Sequence, residues 1–82
     1  MTTHYQLLTR SNCHLCEEME AVLRSVLPEF GLHHETVDVD GDADLVKRFG
    51  EAVPVLLRDG RAVAKIRLSA RQLRRIVRRR RF

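Results

Sequence analysis

Apolar positions along this chain fall into alternating short clusters and longer stretches of three-to-four-residue spacing, and each change of spacing marks an element. HYQLLT, residues 4 to 9, is short, apolar and closed by polar Arg10, Ser11 and Asn12, which suits a buried strand. Leu15, Met19, Val22, Leu23, Val26 and Phe30 then recur on one face of a helix that Ser11 or Asn12 can cap and that Pro28 and Gly31 end. Residues 33 to 39 alternate, with Val37 and Val39 flanking Asp38, and predict a second strand with one wetter face. From about Asp42 a short helix carries Leu45, Val46 and Phe49, with Gly50 placed as a left-handed terminator. VPVLLRDGRAVAKI predicts a hairpin turning on Asp59-Gly60, which tolerates the positive φ angles of a two-residue turn. Ser69 caps a last helix whose apolar stripe is Ala70, Leu73, Ile76 and Val77. The order is β-α-β-α-β-β-α without internal repeat. A right-handed crossover makes the first two strands parallel and puts the loop after the first strand at its carboxyl end.

Length changes this picture little. Eighty-two residues make a single domain, residues 1–82, with a basic helix from about residue 69, and such a chain buries only about 60 to 65% of its surface. A hydrophobic content of 44% with 32% charged residues excludes whole-chain disorder. The first residues, MTTHYQLLTRSNC, lack a basic segment followed by a long apolar one, and no apolar run is long enough to span a bilayer. A cytoplasmic monomer without a membrane span is the expectation.

Charge is more informative. Residues 1 to 56 hold four Lys/Arg against ten Asp/Glu, net −6, and residues 57 to 82 hold eleven against one, net +10. Seven arginines fall between Arg71 and Arg81, yet the stripe Leu73, Ile76 and Val77 explains the segment as a packed helix with a solvated basic face. No aromatic interleaves the arginines and only Phe82 ends the run, which disfavours nucleic acid; an acidic protein partner or anionic lipid is the alternative use of that face.

The candidate chemistry lies in Cys13 and Cys16. Two cysteines are too few for the disulfide framework of a small secreted module, and a close pair in a reducing compartment reads as redox-active or metal-binding. Cys13 sits at the start of the first helix, where unpaired N–H groups and the helix dipole stabilise a thiolate; in such motifs the thiol pKa falls from about 8.5 to roughly 3.5 to 7.5. Cys16, one turn on, can attack a mixed disulfide formed at Cys13, so the pair divides into nucleophile and resolver. His14 can lower the thiol pKa when protonated, although a solvated imidazole is the plainer reading. A structural zinc site needs four ligands, and only His4, His14, His33 and His34 could add to the pair, the last two facing opposite sides of a strand. A metal or iron–sulfur module and a non-enzymatic basic adaptor remain the alternatives to disulfide exchange. Asp40, Asp42, Asp44 and Glu51 match part of a calcium-loop spacing, but Leu45 stands where that loop needs glycine. Pro54 either simply opens the hairpin or, with the Val53–Pro54 bond cis, leaves the Val53 backbone free to pair with an extended substrate.

Arg10-Ser11-Asn12-Cys13-His14-Leu15-Cys16 after a strand, then Val37-Asp38-Val39-Asp40, then Val53-Pro54-Val55-Leu56 before an Asp-Gly hairpin, together resemble a small glutaredoxin-like protein of the thioredoxin superfamily. The resemblance covers nearly the whole chain. It implies a thioredoxin-like α/β fold, a four-stranded mixed sheet flanked by three helices, with Cys13 as nucleophile, Cys16 as resolver and a cis Pro54 opposite them. It implies a dithiol-disulfide oxidoreductase acting on protein disulfides or glutathione mixed disulfides. No tightly bound cofactor follows from it, and glutathione would be a co-substrate touching Arg10, the Val53 backbone and Ser69. The chain departs from the glutaredoxin pattern in His14-Leu15 where Pro-Tyr is usual, in Ala52 where threonine is usual, and in Arg67-Leu68-Ser69 where Gly-Gly precedes the cap. Val37-Asp38-Val39-Asp40 and the short helix resemble the uncharacterised bacterial branch of the family more than the glutathione-dependent enzymes. Without the Gly-Gly, a ligand backbone approaches less closely, so slow deglutathionylation and better service from a protein disulfide or thioredoxin-type reductant are expected.

Overall fold

The computed structural model describes residues 3–79. Strand β1 (Tyr5–Thr9), helix α1 (His14–Val26), β2 (His34–Asp38), α2 (Ala43–Phe49), β3 (Val55–Arg58), β4 (Arg61–Lys65) and α3 (Ala70–Arg78) follow in the order the apolar spacing predicts. Short 3-10 turns occupy Leu27–Phe30 and Val39–Gly41. The strands form one mixed sheet in the order β2-β1-β3-β4, with β1 parallel to β2 and antiparallel to β3, and β3 antiparallel to β4. Arg80, Arg81 and Phe82 of the arginine run, and the first two residues, lie outside the described residues.

Side chains of successive strand residues point to opposite faces, and each face acquires its own core. Tyr5, Leu7 and Leu56 face α1 and α3, where Met19, Leu23, Val26, Leu27 and Leu73 are buried with them. Leu8, Val55 and Leu57 face the other way, against Val39 and the α2 side chains Leu45, Val46 and Phe49. Two helices on one face and one on the other sandwich the central strand β1, which fixes where its carboxyl end emerges.

The Ser69 cap and the Asp59-Gly60 turn hold, and α2 has a cap of its own. Asp42 caps α2 by accepting from the backbone of Asp44 and Leu45, and Ser69 caps α3 in a reciprocal box with Gln72. Asp59 and Gly60 take φ values of +49° and +85°, as a two-residue turn between right-twisted strands requires.

Several details differ from expectation. Neither Ser11 nor Asn12 caps α1: Asn12 adopts φ +56° to turn the chain, and the cap falls to Cys13, whose Sγ accepts from the Cys16 N–H at 3.1 Å. Helix α1 ends at Val26, and Phe30 belongs to the following 3-10 turn, where Pro28 needs no N–H partner and Gly31 (φ +70°) closes the turn. Strand β2 stops before Val39, which enters the second 3-10 turn. Gly50 is not a left-handed terminator; its φ is −52°. A Cβ there would stand 2.5 Å from the Val46 carbonyl oxygen and 3.3 Å from Arg10 Nη1, so the glycine serves close approach.

Candidate active site

The strand register brings three connections together. Leu8 faces Val55 across β1 and β3, and Val55 faces Lys65 across β3 and β4. The loop from β1 to α1, residues 53 and 54 before β3, and the turn after β4 therefore lie at one end of the sheet. The first carries Cys13, the second contains the cis Val53–Pro54 bond, and the third is bound to it: Ile66 N–H donates to the Pro54 carbonyl at 2.8 Å.

Cys13 and Cys16 are joined as a disulfide with their Cα atoms 5.2 Å apart. Cys13 is half-buried at the helix cap, whereas Cys16 is only 4% exposed and forms part of the α1 inner face. A small cavity of about 150 Å³ beside the pair is lined by Arg10, Glu17, Glu20 and Thr36 among others. The Glu20 carboxylate accepts from Thr36 Oγ1 at 2.8 Å and lies 3.1 Å from His34 Nε2. These hydrogen bonds, His34 first and Thr36 second, hold the Glu20 carboxyl below its ordinary pKa. Sequence reasoning missed this trio. Its one legible trace is Glu20 four residues after Cys16, one turn along the same helix.

The remaining candidates have other partners. Arg10 lines the cavity, but its guanidinium is engaged elsewhere: Nε and Nη2 donate to Asp40 at 3.2 and 2.7 Å, and Nη1 donates to the Gly50 carbonyl at 3.0 Å. The hydrogen bonds to Asp40 raise the Arg10 pKa further. His14, 83% exposed, has Nε2 3.1 Å from Glu18 and Nδ1 3.7 Å from Glu17. The Ser69 hydroxyl is engaged in capping α3. No hydrogen bond engages the Val53 backbone among the described residues. The acidic residues of the calcium-like spacing are dispersed: Asp40 holds Arg10, Asp42 caps α2 and Asp44 meets Arg48 at 3.4 Å. Among the described residues no group of three or more His, Cys, Asp or Glu side chains is arranged to hold a metal ion, and no helix is long and apolar enough to cross a membrane.

A mixed sheet of this order, with a C-x-x-C disulfide at the start of the helix after its central strand, defines a thiol-redox module of thioredoxin-like fold. Residues 4–78 match the glutaredoxin-like domain (DUF836), and the chain belongs to that family. An uncharacterized Mycobacterium tuberculosis protein, Rv0508, is 38% identical over 61 residues. That match covers 68% of this chain and spans 63% of the relative's length. Among solved structures, XcR50 from X. campestris is 30% identical over 89% of this chain and 93% of its own, with a TM-score of 0.76. The thioredoxin-like protein BC3987 shares the fold with a TM-score of 0.56 at 21% identity, covering 88% of this chain and 97% of its own.

Proposed function

We propose that the protein is a dithiol-disulfide oxidoreductase in which Cys13 attacks and Cys16 resolves. The observation that carries this reading is the asymmetry of the pair: Cys13 is reachable at the helix start, while Cys16 is buried beneath it. In the reduced protein the N–H of Cys16 and the helix dipole both favour a negative charge on Cys13 Sγ. The Cys13 thiolate attacks one sulfur of a substrate disulfide; the S–S bond breaks, a mixed disulfide forms, and the other substrate sulfur leaves as a thiolate. Cys16, deprotonated, attacks Cys13 Sγ, releasing the second substrate thiolate and closing the Cys13–Cys16 bond. Two electrons pass from the pair to the substrate, and a dithiol reductant restores them. Such cycling suits a reducing compartment such as the cytoplasm.

A protein disulfide is the better substrate class than a glutathione mixed disulfide. Arg10 is committed to Asp40 and Gly50, Ser69 is committed to its helix cap, and Arg67-Leu68 stand where a close ligand approach would need glycines. The Val53 backbone, without a hydrogen-bond partner among the described residues, is the natural edge for an extended substrate.

The test is a pair of variants. Cys13→Ser abolishes exchange with a peptide disulfide, and Cys16→Ser accumulates a mixed disulfide through Cys13, read by mass spectrometry. Faster alkylation of Cys16 than of Cys13 at pH 6 would reverse the assignment. Stoichiometric, tightly held zinc or iron in the reduced protein would count against the reading altogether.

A further inference from the structure

Leu15, between the two cysteines, opens onto a groove of about 490 Å³ on the side of α1 away from the small cavity. Met19 and Val22 continue its wall along α1, and Ile66, Arg67 and Leu68 form the facing wall. Ile66 is out of place on two counts. It is a large apolar residue left 38% exposed, and it is β-branched at φ +68°, where glycine or asparagine is the usual occupant. Its conformation is enforced on both sides: its own N–H is held by the Pro54 carbonyl, and the Arg67 N–H reaches back to the Lys65 carbonyl at 2.7 Å, closing a γ-turn around it. A polar or glycine residue would meet these backbone demands with less strain, so the side chain is kept for what it presents outward.

Resting on the redox reading above, we infer that Ile66 is a specificity-determining residue. With Leu15 it forms an apolar seat for an extended segment of a disulfide-bearing protein, receiving an apolar side chain next to the substrate cysteine. Charge selects the rest of that segment. Arg67 on the groove wall has no ion pair among the described residues, the chain has no acidic residue after Asp59, and the Glu18 carboxylate of the opposite wall lies 3.1 Å from His14 Nε2. The segment therefore carries an acidic residue that meets Arg67. Glutathione has no apolar side chain to fill the seat.

The probe is a fluorescein-labelled octapeptide with serine in place of the reacting cysteine, leucine beside it and glutamate two residues on, so that binding is read by anisotropy without turnover. The wild type binds it about fivefold more tightly than a version with serine for leucine, and the preference shrinks below about twofold in Ile66→Gly and Ile66→Ser. Glutamine for glutamate weakens binding about twofold in the wild type and not in Arg67→Ala. An equal leucine preference in both Ile66 variants, or none in the wild type, overturns the proposal. So does a dimer that Ile66→Gly dissolves while no peptide binds, which would assign the face to a second copy. If the serine peptide binds through Ile66 but its disulfide-bearing counterpart is never reduced, the redox reading falls and the seat stands.

Discussion

In the turn between β3 and β4 the left-handed backbone angles fall on Asp59 and Gly60; at the opposite end of the sheet, beside the disulfide, they fall on Asn12 and Ile66. The first pair suits its conformation. Asp59 also accepts the His4 N–H at 2.8 Å and donates its own N–H to the His4 carbonyl at 2.8 Å, which ties the turn to β1. Next to it Arg58, 8% exposed, donates to the carbonyls of Ile76 and Arg79 at 2.5 and 2.6 Å and lies 5.9 Å from the Tyr5 ring centroid. A cation is thus placed on the negative end of α3. At the other end Asn12 tolerates its angle, but the β-branched Ile66 resists it, and both side chains are exposed. One end is built for stability, and the other carries strain where a substrate would approach.

The largest effect should come from breaking the stable end. Arg58→Ala removes two charged hydrogen bonds and leaves two carbonyls of the last α3 turn without them. The expected loss is roughly 2 to 4 kcal/mol in urea unfolding, with little change in exchange rate per folded molecule. A loss below that of an ordinary surface arginine would dissolve the contrast. Next in size, Gly60→Ala puts a Cβ on a residue at φ +85° and should cost about 1 to 2 kcal/mol. Ile66→Gly is the same comparison with its sign reversed. Relief of left-handed strain of about 1 to 2 kcal/mol outweighs the roughly 0.5 to 1 kcal/mol entropy cost of glycine, so the midpoint stays level or rises. A clear drop would mean that Ile66 is packed for stability after all.

The smallest effect concerns pH. The Glu20 carboxyl is depressed in the folded state relative to its ordinary 4.5, so its contribution is fully present above that value and fades as pH falls through the lower folded value. Glu20→Gln should flatten the acid limb of the stability profile in that window and leave the neutral plateau lowered. An unchanged acid limb would show that the His34 and Thr36 hydrogen bonds survive protonation.

What was legible in the sequence was what neighbouring residues decide. The apolar spacing yields each strand and helix, Asp-Gly yields the hairpin, Ser69 yields the cap of the last helix, and the cysteine spacing marks the candidate redox pair. Long-range contacts were not legible. Nothing local says that Arg10 will bridge to Asp40 thirty residues on, or that Gly50 leaves room for that guanidinium and for the Val46 carbonyl. Nothing local says either that Arg58, inside the hairpin sequence, will reach the carbonyls at the end of α3. Ile66 is the instructive miss: its composition argues for a strand interior, and only the hydrogen bonds to Pro54 and from Arg67 to Lys65 impose its angle.

The grip of Arg58 on α3 also bears on how the molecule opens. A nine-residue helix would ordinarily fray on its own, exchanging its amide hydrogens through small local fluctuations. Here its last carbonyls are fastened to an inner strand, its cap is a reciprocal box, and Arg74 holds Glu29 beyond α1 through two hydrogen bonds. Helix α3 should therefore exchange together with the sheet as one cooperative unit, while the segment around Ile66 opens separately and more often.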